Sequence, residues 1–595
     1  MALTKAGKFV IFVIPTVAVL IVGQYLFKNG KIFASTGFKT SKVEGVDLPT
    51  APANAKTTVP QLPISGMIPT AVNNTEFRME VEAWNVQMGL MYANGGLTTA
   101  AGFLMAKNNV NLKLINQNDD SVSAQNIIKF ANSYKKDPNT KDGIQFVVDM
   151  GDGGAQYIAG INKELLKLGP DYKLEIIGSV GRSNGEDKLM GPVAWRTNPQ
   201  AAKGALIATV LRQGDWNTTI KWCNDNNLLV NPDEKTYNPN AVNFIGVDDF
   251  TKAAALYIAG KDETRPIVDD MGMRTGQTWT GKISGVATWT PADVTVAEQK
   301  GGLVGIVSTK QYSSQMPGAI FTVKKFADDH HKEVVDMLDA IFKGGDQVRC
   351  YSSALNFAGA VSAKVYADKD GAYWVKYYTG FTEADKQGLN VDLGGSMSWN
   401  LADNLNYFGV APGSVNTFKI VYTTFGTVVS KLYPTIVPTF PAAEAAIDTT
   451  FLNDLMQKTP TTEMASAETK TYNAYAISQQ VSKKAFSIEF ASGSATISPK
   501  SYGVLKQIAD SAAVSSGLSL HITGHTDNAG TPESNQSLSE QRAAAVKTWL
   551  SVNYKSIFPD SRIVADGKGQ SEPVADNATP AGKAKNRRVE LVMGE

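Results

Sequence analysis

This chain has little cysteine, little histidine and almost no net charge. Its 595 residues hold two cysteines and four histidines, and 57 basic side chains against 56 acidic ones leave a formal net charge of +1. Near-neutrality removes compositional support for a nucleic-acid or other polyanion partner. Cys223 and Cys350 lie far apart, with no CxxC and no histidine at metal-ligand spacing. A disulfide between them stays open, with two buried thiols the favoured reading. His521 and His525 stand four apart at the end of a predicted strand, where side chains do not converge as they do on a helix, so no metal site is expected. His330 and His331 follow Asp328 and Asp329 in a helical run and read as a solvated face. No repeat of solenoid period is present. No serine or cysteine nucleophile stands with a base at a recognised motif spacing in the C-terminal part. The chain reads as neither an enzyme nor a cofactor carrier.

What is present begins with length. Single cores stop growing near ~250 to 300 residues, so a chain this long divides into at least two domains. Residues 9–27 form an apolar run broken in polarity only by Thr16 and Gln24 and flanked by Lys5, Lys8, Lys28 and Lys31. As a helix it reaches roughly 28 Å, enough for a bilayer core. Small residues at both −3 and −1 of a cleavage site are not evident, so the run reads as an uncleaved transmembrane helix after a cytoplasmic tail at 1–8. Lysines on both sides leave its orientation open. It contains no Asp or Glu, which removes support for a proton-driven stator of the flagellar type.

Residues 28–75 carry Pro49, Pro52, Pro60, Pro63 and Pro69 and read as a semi-rigid linker. Over 76–455, strand-like stretches at 113–115, 144–149, 174–180 and 242–247 alternate with helical ones at 123–134, 199–213 and 251–259. That alternation predicts an α/β domain with a largely parallel sheet. Residues 456–484 are a second linker, and 485–595 a C-terminal module.

In that module Phe486, Ile488 and Phe490 alternate with polar residues as a strand does. Ser498 and Pro499 open a helix with Tyr502, Leu505 and Ile508 on one stripe. Leu518, Leu520 and Ile522 mark a second strand, which ends in a turn-rich loop at 524–530. Ser537 and Glu540 read as a capping box for a helix whose apolar stripe is interrupted by Arg542. A guanidinium on an apolar stripe needs a partner or lines a site.

His525-Thr526-Asp527 with Gly530, Asn535, Leu538-Ser539, Arg542-Ala543, Gly567, Gly569, Pro573 and the closing Asn586-Arg587-Arg588-Val589-Glu590 resemble the OmpA-like family at its own spacing. Lys583 departs from the usual arginine. The resemblance implies an α+β sandwich that binds peptidoglycan through the diaminopimelate of its stem peptide. That residue bears an ammonium and a carboxylate on one carbon, so an acid and a planar cation must lie close together. Asp527 and Arg542 supply them on this reading. Asn535, placed in the intervening loop, bridges ligand and backbone, and Arg587, on the helix-facing side of the last strand, adds a second guanidinium.

From Ala83-Trp84-Asn85 and Gly95-Gly96-Leu97, through the string at 181–189 and Asn198-Pro199, to Asp248-Asp249 and Ser308-Thr309, the middle region resembles periplasmic solute-binding proteins of the nitrate, sulfonate and taurine transport type. The resemblance implies two α/β lobes closing on a small anionic solute, with Trp84, Asn85, Gly153 and Arg182 near the cleft. Together these readings describe a single-pass inner-membrane protein of a bacterial envelope with its bulk in the periplasm. It holds peptidoglycan and a small anionic solute; the alternative is a scaffold whose middle domain contacts protein partners.

Overall fold

The apolar runs that the sequence spaces along its middle region become strands buried on both faces, as strands covered by helices must be. Phe146–Met150 and Leu174–Ser183 are buried at every position. The computed structural model describes residues 59–461, 464–491 and 493–595. The apolar run at 9–27, its tail and most of the proline-rich linker lie outside the described residues. Among those described, no helix is long and apolar enough to cross a membrane.

Two six-stranded sheets form the middle domain. The first runs Ser396–Ser398, Leu174–Ser183, Pro317–Val323, Phe146–Met150, Glu76–Val81, Asn111–Asn116. The second runs Val304–Ser308, Lys188–Gly191, Gly285–Thr288, Leu206–Val210, Ala241–Val247, Leu229–Val230. The chain crosses between them twice, at 184–187 and at 309–316. Both sheets are mixed where a largely parallel one was predicted. Glu76–Val81 pairs parallel with both neighbours, but Pro317–Val323, returning from the second crossover, runs antiparallel to both of its own. A strand that re-enters a sheet from the far lobe arrives from the opposite end, which reverses its direction.

The helix expected at 199–213 is instead a 3-10 turn, Pro199–Ala202, followed by the strand Leu206–Val210. Gly204, at φ +74, breaks the chain direction, and Leu206, Ile207 and Ala208 are wholly buried in the sheet. Burial on two faces outweighs local helix preference. Behind the first sheet, the helices Met88–Asn94 and His331–Cys350 approach through glycine. A Cβ at Gly89 would stand 2.8 Å from the Gly345 nitrogen. Cys223 is buried, Cys350 is exposed, and both thiols are free.

The C-terminal module is a four-stranded sheet in the order Gln480–Phe486, Val589–Gly594, Ser519–Gly524, Ile563–Gly567, covered by Tyr502–Val514 and Pro532–Asn553. Its first strand ends at Phe486 and so lies earlier than the alternation at 486–490 predicted; Phe490 makes only an isolated bridge to Ile497. Ser498 stands at the start of a 3-10 turn without a capping side-chain bond. The long helix opens at Pro532 with Thr531 as its cap, in a box with Ser534, and not at Ser537. A proline at the first helical position is already set to φ near −65° and needs no N–H there, which makes it the stronger start signal.

The two bodies meet along the linker. Lys470 Nζ donates to Ser313 Oγ at 2.8 Å and to Ser516 Oγ at 2.7 Å, and the Gly517 N–H donates to the Gln311 carbonyl at 3.1 Å. Lys221, in the helix Gly214–Asp225 of the second lobe, reaches Ser511 at 3.0 Å. Val514, from the same module helix as Ser511, packs with Val421 and Phe425 of Thr417–Leu432.

Candidate functional site

The loop after Ser519–Gly524 is pinned by backbone bonds from His525 N to Arg588 O and from Thr526 N to Gly569 O, both 2.9 Å. This sets Asp527 just past the C-terminal end of an inner strand of the sheet. One of its oxygens accepts the Ala529 amide at 2.9 Å, and the other meets Arg587 Nη1 at 2.5 Å. Burial pushes the Asp527 carboxyl up, but the Ala529 amide and the Arg587 guanidinium outweigh it and hold it below the usual range.

Arg587 follows the helix Pro580–Asn586 and precedes the strand that begins at Val589, so it stands at the junction and not on a strand face. Its side chain is 48% exposed, against 10% for Asp527, so the guanidinium is the solvent-facing half of the pair. Asn535 lies in the first turn of Pro532–Asn553 instead of a loop. Its amide donates to the Asp527 carbonyl at 3.2 Å and to Gln570 Oε1 at 2.7 Å.

Arg542 sits near the middle of that helix, farther from its start than the sequence suggested because the helix begins earlier. Its Nε donates to the Ser494 carbonyl at 3.2 Å, and its guanidinium lies 4.9 Å from the Phe490 ring centre. Burial, then the nearby Arg587 charge, lower its proton affinity, while Asp527 raises it. Hydrogen bonds thus join Asp527, Asn535 and Arg587, and charge joins Arg542 to them. Gln570, Ser494 and Phe490 were not foreseen; only their closeness to the motif residues in sequence hinted at them.

In the middle domain Trp84, Asn85 and Arg182 are buried and stand where the chain passes between lobes. Trp84 Nε1 donates to Asp187 Oδ2 and Asn85 Nδ2 to Glu186 Oε1, each at 3.1 Å. Arg182 is fully engaged. Its Nε and Nη2 hold both oxygens of Glu468, at 3.0 and 2.5 Å, and Nη1 donates to the Ser183 carbonyl at 2.9 Å. Burial works against the Glu468 carboxylate, yet the Arg182 guanidinium holds it down at about 2. A linker carboxylate therefore occupies the guanidinium expected to meet an anionic solute. Gly153 ends the 3-10 turn Gly151–Gly153, and a Cβ there would meet nothing within 4 Å.

The residues gathered around this crossing are acids. Asp152 follows a strand of the first lobe, Asp215 opens the helix Gly214–Asp225 of the second, and Asp187 lies in the crossover between them. All three are buried. Asn217 Nδ2 and Gln315 Nε2 donate to Asp152 Oδ2 at 3.1 and 2.9 Å. Lys188, the cation beside them, is ion-paired to Asp293. Burial raises Asp152 to about 6 and lifts Asp215 well above its ordinary range, the latter helped by Asp187 and Asp152. Asp187 lies inside the string 181–189 with Arg182, and nothing local in that string tells which of the two charges the fold leaves unpaired.

Residues 489–587 match the OmpA family. Over 111 residues the chain is 43% identical to outer membrane porin F of Pseudomonas fluorescens, covering 19% of this chain and 33% of that one. Over 106 residues it is 39% identical to the peptidoglycan-binding protein ArfA of Mycobacterium tuberculosis, covering 18% and 32%. It thus spans about a third of the length of these two relatives. A solved structure, the periplasmic nitrate-binding protein NrtA of Synechocystis PCC 6803, aligns with 64% of this chain and 93% of its own, at 11% identity and a TM-score of 0.40.

Proposed function

We propose, from the OmpA family domain that residues 489–587 make, that this chain is a cell-envelope protein tethered to peptidoglycan, with a two-lobed domain that takes a small solute. The observation that carries the tether is the half-open pair of Asp527 and Arg587. The pair can part around a diaminopimelate zwitterion, Asp527 taking the ammonium while Arg587 and Arg542 take the carboxylate; Asn535 holds the loop in place. The relative named for peptidoglycan binding supports this reading. Asp527→Ala and Arg542→Ala are each expected to fold and yet lose about 1.5 to 3 kcal/mol of binding, roughly ten- to a hundredfold, in pull-down by purified peptidoglycan. Retained binding by both folded variants would sink the assignment.

The apolar run at 9–27 would anchor the chain in the inner membrane, with the rest in the periplasm where the wall lies. Native Cys350 is exposed and Cys223 is buried, so Cys350 is a ready reporter. A membrane-impermeant thiol reagent should label it once the outer membrane is permeabilised. Labelling only after inner-membrane lysis would reverse the topology.

The Arg182–Glu468 pair favours a second reading, in which the middle domain is a scaffold whose cleft is closed by its own linker. A small solute that raises the melting temperature of the full chain favours solute capture, and the absence of any such solute favours the scaffold.

A further inference from the structure

Five polar atoms between the lobes find no partner among the described residues. Asp152 Oδ1, Asp187 Oδ1 and Asp215 Oδ1 are buried without a hydrogen-bond partner among the described residues. So are the carboxamide oxygens of Asn217 and Gln315, whose amide nitrogens fasten them to Asp152. Buried polar groups are nearly always bonded, so a group of orphans contributed by four segments marks a place for something else. All five atoms are acceptors; what they lack is a donor.

Charge narrows the choice. The groups acting on Asp215 after burial are Asp187, Asp152 and Asp293, with Lys188 as the cation, and that ammonium is already taken by Asp293. Arg182, the other base at the crossing, is held by Glu468. The acidic character continues on the first lobe, where Glu82, Asp120 and Asp149 bring one oxygen each within 4.8 Å of one another. An anion would meet a surplus of carboxylates whose neighbouring cations are already paired. A neutral polyol could bond the oxygens but would leave several buried charges uncompensated. A bare metal ion needs its ligands converged, and among the described residues Asp152, Asp187 and Asp215 do not form such a compact set.

We propose that the interlobe site takes a small organic cation bearing primary ammonium or guanidinium groups, with Asp215, Asp187 and Asp152 as its counter-charges and the Asn217 and Gln315 carbonyls as its neutral acceptors. Donors spaced along an organic chain can meet acceptors contributed by both lobes and the crossovers, so binding and lobe closure become one event. The Trp84 indole, bonded to Asp187, sits beside the same charge. This inference rests on the reading of the middle domain as a solute binder and reverses the sign of the solute expected from the sequence.

The test is the melting temperature and calorimetry of the full chain in detergent. The probes are putrescine, agmatine and spermidine, set against nitrate and taurine, glucose, and calcium, magnesium and manganese ions. At least one amine is expected to raise the melting temperature by several degrees, and Asp215→Asn and Asp152→Asn, each checked for fold by circular dichroism, to weaken it at least tenfold. A response confined to nitrate, taurine or glucose overturns the cation while sparing the solute reading. A response confined to the metal ions overturns the organic ligand. Unchanged amine affinity in both folded variants overturns the site. Silence towards every probe, with no small molecule retained in native mass spectrometry, overturns both this inference and the solute reading.

Discussion

Two buried charges show what decides whether a residue steadies the fold or waits for a partner. Arg562 is wholly buried, yet its guanidinium donates to the carbonyls of Leu518, Ile557, Ala512 and Ser515 at 2.7 to 2.9 Å. Asp215 is almost as buried, and its Oδ1 meets nothing. The first is a staple across the module; the second costs the protein stability. Asp215→Asn keeps the shape and removes the charge, so the variant is expected to melt higher at neutral pH by about 1 to 3 kcal/mol. The sign follows from the raised proton affinity of Asp215. An acid whose folded pKa is raised costs nothing below its unfolded pKa, and the cost grows as pH rises above it. The advantage of the variant should therefore vanish near pH 3 and widen towards neutrality. A melting series that shows no such widening would mean that Asp215 is paired after all.

At the scale of an element, the linker behaves as a strap. The Glu468 N–H bonds to Asp403 Oδ1 at 2.5 Å, the Ser466 carbonyl accepts from Asn400 at 3.0 Å, and the Tyr472 hydroxyl donates to the Ser516 carbonyl at 2.8 Å. Composition predicts a linker here, because proline and threonine weaken regular structure. It cannot reveal that Glu468 ends on Arg182, since that pair depends on two segments 286 residues apart. Glu468→Gln leaves a buried guanidinium without its counter-charge and is expected to cost about 2 to 4 kcal/mol at neutral pH. Here the folded carboxyl is depressed to about 2. Its contribution is present above the ordinary carboxylate pKa and is lost as pH falls through about 2, the opposite sense to Asp215. Melting curves of the variant and the parent should thus converge on acidification; a gap that persists to pH 2 would show that the strap is held by other contacts.

At the scale of the whole molecule, the C-terminal module rests on both lobes and on the second crossover between them. Gly517 is the tightest point. A Cβ there would stand 2.0 Å from the Lys310 carbonyl oxygen and 3.0 Å from that of Gln311, backbone atoms that cannot turn aside. Gly517→Ala is expected to undock the module while leaving each body folded. Small-angle scattering would then report a larger radius of gyration, and circular dichroism an unchanged fold. An unchanged radius would mean that the crossover gives way instead. Because the module touches the second crossover, a movement of the module on the middle domain would be felt where the chain passes between the two sheets.

Much of this was legible in the sequence because it is written in local chemistry. The HTD and NRRVE segments mark the OmpA-like module, and apolar runs mark four strands of the middle domain, Asn111–Asn116, Phe146–Met150, Leu174–Ser183 and Ala241–Val247, since side-chain period and burial follow from the backbone alone. The same local reading placed the long module helix too late, Asn535 in a loop and 199–213 in a helix, where a proline start or burial in a central sheet overrode the pattern. The charge of the interlobe site was beyond it. Asp152, Asp187 and Asp215 look like ordinary loop and helix-start acids until two sheets bring them together, and Arg182 looks free until Glu468 reaches it. The sequence by itself determined the kinds of module and where Asp527, Asn535, Arg542 and Arg587 fall in the chain. The tertiary structure decided which charges are left unpaired, because the pairing of a buried ion depends on distant segments that only the folded chain makes neighbours.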